Sequence, residues 1–318
     1  MDVTGLWNLV GSRVAQAVAT AWAIATLCFL LVHALPGDLA LNIAVARVGG
    51  ERATESLVAR VRADEGLDRP LAAQYAQWIG RAAAFDFGNS LISRKPVTEE
   101  LAWHVRLTFG LGAAGWLLSY LFALPLGIAA GSRPGGFIDR ATTAFAVTLA
   151  SLPTFLVGIG LIGVFALTLR WLPPAGFRTG WHMILPAITL ALGLAAFSVP
   201  VVRNAVLEVR RAFFLTFARL RGMPEGAAFR RHGIRNAAIP VVTYAAIQFA
   251  VVVDGFVVVE TLFNYPGLGD LLVRSLVARD IPVIMGAGLA IGVTYALVNL
   301  IADLIALQLD PRRKAGAA

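Results

Sequence analysis

The sequence predicts an all-α polytopic membrane protein with six transmembrane helices and both termini in the cytoplasm. Three observations predict it. Of 318 residues, 58% are hydrophobic and only 14% charged, with a mean hydropathy of +0.74, too few charges to cover a soluble domain of that length. The apolar residues come in blocks of about 20, the length that crosses a bilayer core as a helix. The arginines collect in the loops between blocks, where they set orientation.

In chain order, the first span is Val14–His33. It is longer than a signal-peptide core, lacks a small-x-small cleavage pattern at its end and is followed by more spans, so it reads as an uncleaved helix. The segment from Pro36 to Arg106 has nine basic residues (Arg47, Arg52, Arg60, Arg62, Arg69, Arg81, Arg94, Lys95, Arg106) and nine acids (Asp38, Glu51, Glu55, Asp64, Glu65, Asp68, Asp86, Glu99, Glu100). A long, near-neutral loop translocates without a charge penalty, which places it outside. Within it Pro70 can open a helix whose Leu71, Tyr75, Trp78, Ile79, Ala82 and Phe85 recur at helical spacing. That helix can pack on the protein's own outer face, rest on membrane lipid or dock an external partner.

Spans two to six follow at Leu107–Gly131, Ala141–Leu169, Ile184–Val202, Ala238–Val259 and Val283–Leu307. Pro125, Pro153 and Pro200 fall inside them, a tolerated feature that marks kinks. The loop after span four carries Arg203, Arg210, Arg211, Arg219, Arg221, Arg230, Arg231 and Arg235 against Glu208 and Glu225, which puts it in the cytoplasm. Arg13, the pair Arg133 and Arg140, and the tail Arg312, Arg313 and Lys314 then fall on the same side. The organisation is therefore 1–34 (N-terminus and first span), 35–106 (external segment with short helices) and 107–318 (five-span core), with a cytoplasmic loop at 203–237.

The net charge of +8 resides in these loop arginines, an arrangement of orientation signals rather than of a nucleic-acid partner. The single cysteine, Cys28, lies inside the first span, so the chain can form neither an internal disulfide nor a cysteine-based metal cluster.

Loop 203–237 is long for a connection between membrane helices and needs a reason. Ala205 to Arg221 is helix-prone, with Phe213, Phe214, Phe217 and Leu220 forming an apolar stripe. Gly222 fits a helix stop, Pro224 a restart, and Glu225 the positive end of a second short helix that runs to about His232 and ends at Gly233. Such an element can fit a cleft on a cytoplasmic partner or lie on the membrane surface; the residues alone leave both open.

The run Thr216-Phe-Ala-Arg-Leu-Arg-Gly222, followed by Arg231-His-Gly-Ile-Arg-Asn-Ala-Ala-Ile-Pro240, resembles the coupling motif of ABC importer permeases of the peptide/nickel class. Ala218 and Gly222 match the Glu-Ala-Ala and Gly positions of that motif, while Thr216 and Phe217 replace its first two letters. Leu35-Pro-Gly-Asp38, Gly66-Leu-Asp-Arg-Pro70, Phe87-Gly88, Trp171-Leu-Pro173, Leu185-Pro186, Glu260-Thr-Leu-Phe-Asn-Tyr-Pro-Gly-Leu-Gly269 and Asp310-Pro-Arg312 extend the resemblance over nearly the whole chain.

The resemblance implies a type I importer permease fold and a bacterial inner-membrane location. It also implies four kinds of neighbour: a second homologous permease, two cytoplasmic ATPase subunits, an external substrate-binding protein and membrane lipid. Thr216, Ala218, Arg221, Gly222, Met223, Pro224, Glu225, Phe229, Arg231, His232 and Asn236 become the ATPase-coupling residues, with Met223–His232 as the seated helix. No cofactor is implied for this chain, because ATP is bound by the partners. Consistent with that, its two lysines, Lys95 and Lys314, are followed by Pro and Ala, so neither sits in a Gly-x-x-x-x-Gly-Lys-Ser/Thr phosphate loop. Neither a zinc-protease nor a nucleophile-elbow motif is present, so the sequence does not read as an enzyme.

The alternative is a secondary transporter driven by an ion gradient through Asp254 and Glu260. Asp254, deep in span five, can line the translocation pathway or be a neutral hydrogen-bonded acid between helices; Glu260 can be a gate or an anchor. His33, His104, His182 and His232 are scattered, so the chain has no metal site of its own in this reading. Asp86-Phe-Gly88 and Ala218-Arg-Leu-Arg-Gly222 resemble nickel permeases more than typical dipeptide ones, a likeness that implies nickel or a metal chelate as cargo, with di- and oligopeptides close behind.

Overall fold

The computed structural model describes residues 3–34, 37–49 and 53–309; the side chains at 3–10, 13, 46–47, 250–256 and 302–309 also lie outside the described residues. Every long element among them is helical, and the only β-type pairing is an isolated bridge of Asn89 with Pro96. In order the helices are α1 (Val3–Ala34), α2 (Leu39–Val48), α3 (Glu55–Asp64), α4 (Leu71–Ala83), α5 (Val97–Ser132), α6 (Phe137–Ser151) and α7 (Thr154–Leu161). They continue as α8 (Ile184–Arg211), α9 (Phe213–Leu220), α10 (Glu225–Ala228), α11 (Ile234–Leu262), α12 (Leu268–Ala278) and α13 (Ile281–Leu309).

Among the described residues, four segments are long and apolar enough to cross a membrane: Val14–Ala34, Val97–Ser132, Gly180–Arg211 and Ile281–Ile301. The bent pair α6–α7 makes a fifth. The third span expected over Ala141–Leu169, with Pro153 marking a kink, is bent more sharply than a kink. It breaks at Leu152-Pro153, and the two halves meet at 106°. Proline has no N–H to give the helix and pushes the residue before it out of the helical region; Leu152 is accordingly extended, at φ −96° and ψ 131°. Past α7 the chain continues as a π-helix over Ile162–Thr168.

The chain divides into two compact units. One comprises Trp7–Phe109 and Pro266–Leu297. In it α4 lies along α1: the Trp78 indole donates to the Ala25 carbonyl at 3.1 Å, and the Tyr75 and Thr26 hydroxyls are 2.8 Å apart. Ala82, Trp78 and Ile79 join one apolar cluster with Ala25, Phe87 and Val97, while Leu71 and Phe85 are exposed. The stripe read after Pro70 thus packs on the protein's own first helix over most of its length. Asp280, 2% exposed, precedes α13 and ties in the loop closed by the Asn89–Pro96 bridge, accepting from the Ser90 hydroxyl at 2.5 Å and the Leu91 N–H at 3.2 Å.

The other unit contains, of the described residues, 3–6, 110–265 and 298–309. Its centre is α8, packed against α6, α7 and above all α11. Helices that associate in lipid gain little from apolar burial and rely on close approach over small residues. Gly127 and Gly131 of α5 provide it here. A Cβ on Gly127 would lie 2.6 Å from the Val202 Cβ, and one on Gly131 would lie 2.5 Å from the Arg203 carbonyl oxygen. Polar links add to the packing: the Trp116 indole donates to the Ala245 carbonyl at 3.1 Å, and the Ser198 hydroxyl to the Gln248 amide oxygen at 2.8 Å.

Candidate functional site

The basic loop after α8 is built from two breaks in an otherwise continuous helix. The single helix expected over Ala205–Arg221 is corrected: α8 runs to Arg211, Ala212 turns extended at ψ 141°, and α9 begins at Phe213. This turn rotates the apolar side of α9, so that Leu215 is buried with Val206 and Val209 while Phe213 and Leu220 are 79% and 78% exposed. Phe217 is half exposed and stacks on Phe213 at 6.5 Å, and the Arg221 guanidinium sits 5.3 Å from the Phe217 ring centre.

The end of α9 explains why alanine and glycine stand four apart. Gly222 adopts φ +85°, a left-handed value that costs glycine nothing. The Gly222 N–H then donates to the Arg219 carbonyl at 2.9 Å, and the Met223 N–H reaches back to the Ala218 carbonyl at 3.2 Å. That pair of bonds is the Schellman closure of a helix, which also brings the residue after glycine over the one five back. Met223 and Ala218 accordingly pack against the same apolar cluster. Thr216 accepts from the Arg219 side chain at 3.2 Å on the exposed side.

Pro224 then caps α10, and the Glu225 carboxylate pairs with Arg210 at the end of α8. The Arg210 guanidinium also lies 5.7 Å from the Phe229 ring centre, so a single arginine holds both ends of this short stretch. A second correction concerns Gly233. It was expected to end the second helix, yet Phe229–Gly233 forms a π-helical turn that runs straight into α11. The reason lies in the side chains: a Cβ on Gly233 would fall 2.5 Å from the Phe229 ring, so glycine lets the ring lie flat on the widened turn. Asn236 donates to the His232 carbonyl at 2.7 Å, supporting the same turn. Arg230, Arg231, His232 and Arg235 are exposed.

The structure thus brings Ala218, Gly222, Met223, Pro224, Glu225 and Phe229 together as a braced hinge, with Thr216, Arg221, Arg231, His232 and Asn236 on its outside. The two acids proposed for a pathway lie elsewhere. Asp254 falls in α11, among positions whose side chains lie outside the described residues. Glu260 is fully buried near the end of α11, where its carbonyl receives the Tyr265 N–H at 2.8 Å.

Sequence reasoning missed one strong pair. Arg203, read only as an orientation charge, grips Asp139 with two nitrogens, Nη2 to Oδ2 at 2.8 Å, while the Gly135 N–H donates to the same carboxylate. Asp139 is 4% exposed, and the bidentate pair fastens the start of α6 to α8 about two turns before α8 ends. A lone acid between Arg133 and Arg140 was the available signal.

Residues 123–315 match the family described as the inner membrane component of binding-protein-dependent transport systems, and residues 6–111 match the N-terminal part of such membrane components. The chain belongs to this permease family. Among its curated relatives is the glutathione transport system permease protein GsiC of Salmonella choleraesuis, 38% identical over 304 residues, covering 96% of this chain and 98% of that one. The Escherichia coli protein of the same name is 37% identical over equal coverage. That of Pectobacterium atrosepticum is 36% identical over 94% of this chain and 96% of its own. The permease is accordingly the inner-membrane subunit of an ABC importer of the peptide/nickel class, a transporter component rather than an enzyme. Membership of the family brings with it, in general terms, a partner permease, ATPases and a binding protein.

Proposed function

We propose that this permease forms half of a translocation pathway for di- or oligopeptides and is driven through loop 203–237 by an ATPase subunit. Six helices cross the membrane in this reading: α1, α5, the bent pair α6–α7, α8, α11 and α13, with both termini and the loop in the cytoplasm. The 29-residue length of α11, about 44 Å at 1.5 Å per residue, supports counting it as the sixth. Segment 35–106 then faces the external binding protein. A second homologous permease completes the pathway, and ATP is bound by the two ATPase partners, with no cofactor in this chain.

The observation that carries the reading is the run from Pro224 to Leu262. The proposed contact at Met223–His232 is joined to a membrane-length helix without a flexible link, so a push on the loop becomes movement of α11. Exposed Arg231 and His232 supply the contact, and Arg210 with Glu225 keeps it at a fixed angle. For cargo, the relatives are named for the transport of glutathione, a small peptide, which weighs for peptides over the nickel lean of the sequence.

The test is co-purification. Arg231→Glu with His232→Glu should leave an inserted permease that recovers at least about tenfold less ATPase subunit, since two reversed or added charges at a desolvated contact cost several kcal/mol. Unchanged ATPase recovery together with normal uptake would overturn the assignment.

A further inference from the structure

The break at Leu152-Pro153 has a second consequence beside the bend. It opens a cleft of about 530 Å³ between the α6–α7 junction, α8 and α11, bordered by Thr154, Gly193, Phe197, Tyr244 and Gln248. That volume lies in the range of pockets that enclose small ligands, roughly 300–1,000 Å³. The cleft sits well inside the helices that cross the membrane: Gly193 is mid-way along the Gly180–Arg211 span, and Gln248 is mid-way along α11.

Two features show that the cleft is not built to face lipid. A helix broken inside the apolar layer presents the last carbonyls of one half and the first N–H groups of the other, and lipid can satisfy neither. The polar side chains gather at that same place. Gln248 is only 3% exposed, although an amide in the middle of a span is costly unless it is used. Its oxygen accepts from Ser198 and its nitrogen donates to the Leu194 carbonyl at 2.9 Å, which occupies one donor and one acceptor of the two of each that an amide offers. Thr154 and Tyr244 bring hydroxyls to the same cleft, whose remaining border is apolar.

Its chemistry selects the ligand class. None of the bordering residues is charged, and none is His, Cys, Asp or Glu, so the cleft suits neither a metal ion nor a fixed side-chain charge. Amide and hydroxyl groups between apolar walls match the main-chain amides that all small peptides share.

We propose that this cleft is a way-station for cargo, in which Thr154, Tyr244 and Gln248 hydrogen-bond the main chain of a passing di- or tripeptide. The inference rests on the peptide-import reading above. Recognition through the main chain gives a site that is weak and indifferent to side chains, as a pathway requires.

The test uses the complete importer with its ATPases, second permease and binding protein in proteoliposomes, and a Cys28→Ser background carrying Thr154→Cys. A charged, water-soluble methanethiosulfonate should modify Thr154→Cys and lower uptake of glutathione and alanyl-alanine at least tenfold. Excess peptide, delivered with the binding protein, should slow the modification. Gly193→Phe, which fills the cleft without touching the Ser198–Gln248 pair, should lower uptake by a similar factor, and Tyr244→Phe by about threefold. ATPase recovery should stay at the level of the unmodified complex in all of these. A thiol that resists the reagent, or that reacts without loss of uptake, overturns the way-station. Because the loop variants are read by ATPase recovery and the cleft variants by uptake at full recovery, failure of one reading is distinguishable from failure of the other.

Discussion

Gly131→Ala adds one methyl group where α5 meets α8, and its cost can be worked from the geometry. The new Cβ would stand 2.5 Å from the Arg203 carbonyl oxygen and 2.9 Å from the Val206 Cβ. The first of these is backbone and cannot swing aside, so the helices must part locally by about 0.9 Å to reach the 3.4 Å at which ordinary contact begins. Overpacking of this kind costs about 1–3 kcal/mol. The four-residue turn after α5 carries the displacement to Asp139, whose 2.8 Å bond from Arg203 Nη2 would stretch towards the edge of hydrogen bonding. A charge-assisted bond of this type is worth about 1.5–3 kcal/mol. Against both stands the helical preference for alanine over glycine, about 1 kcal/mol. The net expectation is a loss of about 1.5–5 kcal/mol. It is measured by reversible unfolding of the purified permease in mixed micelles with a denaturing detergent, followed by tryptophan fluorescence. Gly110→Ala, where a Cβ meets nothing within 4 Å, serves as the control and should be neutral or slightly stabilising. If Gly131→Ala unfolds within about 0.5 kcal/mol of the parent, close approach at this glycine is not what holds α5 to α8.

Two further outcomes follow from backbone and hydrogen-bond geometry. Gly222→Ala places a side chain at φ +85°, which costs about 1–2 kcal/mol locally and should lower ATP-driven uptake several-fold while the spans unfold normally; uptake equal to the parent would remove the Schellman closure from the mechanism. Ser90→Ala withdraws the hydroxyl held by the buried Asp280 and by the Ile92 and Ser93 N–H groups, at a cost of about 1.5–3 kcal/mol. Limited proteolysis should then cut the segment around residues 90–96 at least tenfold faster, and an unchanged rate would show that Asp280 is satisfied without it.

Much of the helical plan was legible because membrane spans and loop stops depend on local properties. Blocks of apolar residues, Pro70 before α4, and Gly222 followed by Pro224 each act within a few residues of themselves. Pro153 was equally visible, but a proline inside an apolar run can mean a slight kink or a full break, and the neighbours that decide between them lie on α8 and α11. Gly233 misled for the opposite reason. Glycine after a short helix ordinarily stops it, whereas here it makes room for the Phe229 ring four residues earlier, a contact that no propensity records. The Asp139–Arg203 pair joins residues 64 apart and becomes readable only when α6 and α8 are side by side.

The unbroken run from Glu225 into α11 also sets a scale for movement. Sixteen residues separate His232 from Gln248, about 24 Å of helix at 1.5 Å per residue. If the loop end is the fulcrum, a tilt of about 10° carries the Gln248 amide sideways by about 4 Å, wider than a hydrogen bond is long. A rod of this length therefore needs only a small rotation at its base to part Tyr244 and Gln248, which it carries, from Thr154 on α7 and so loosen a ligand held between them. Pro240, part-way up, leaves the Asn236 carbonyl without its usual N–H partner and is the place where such a rod would bend if the load became too great.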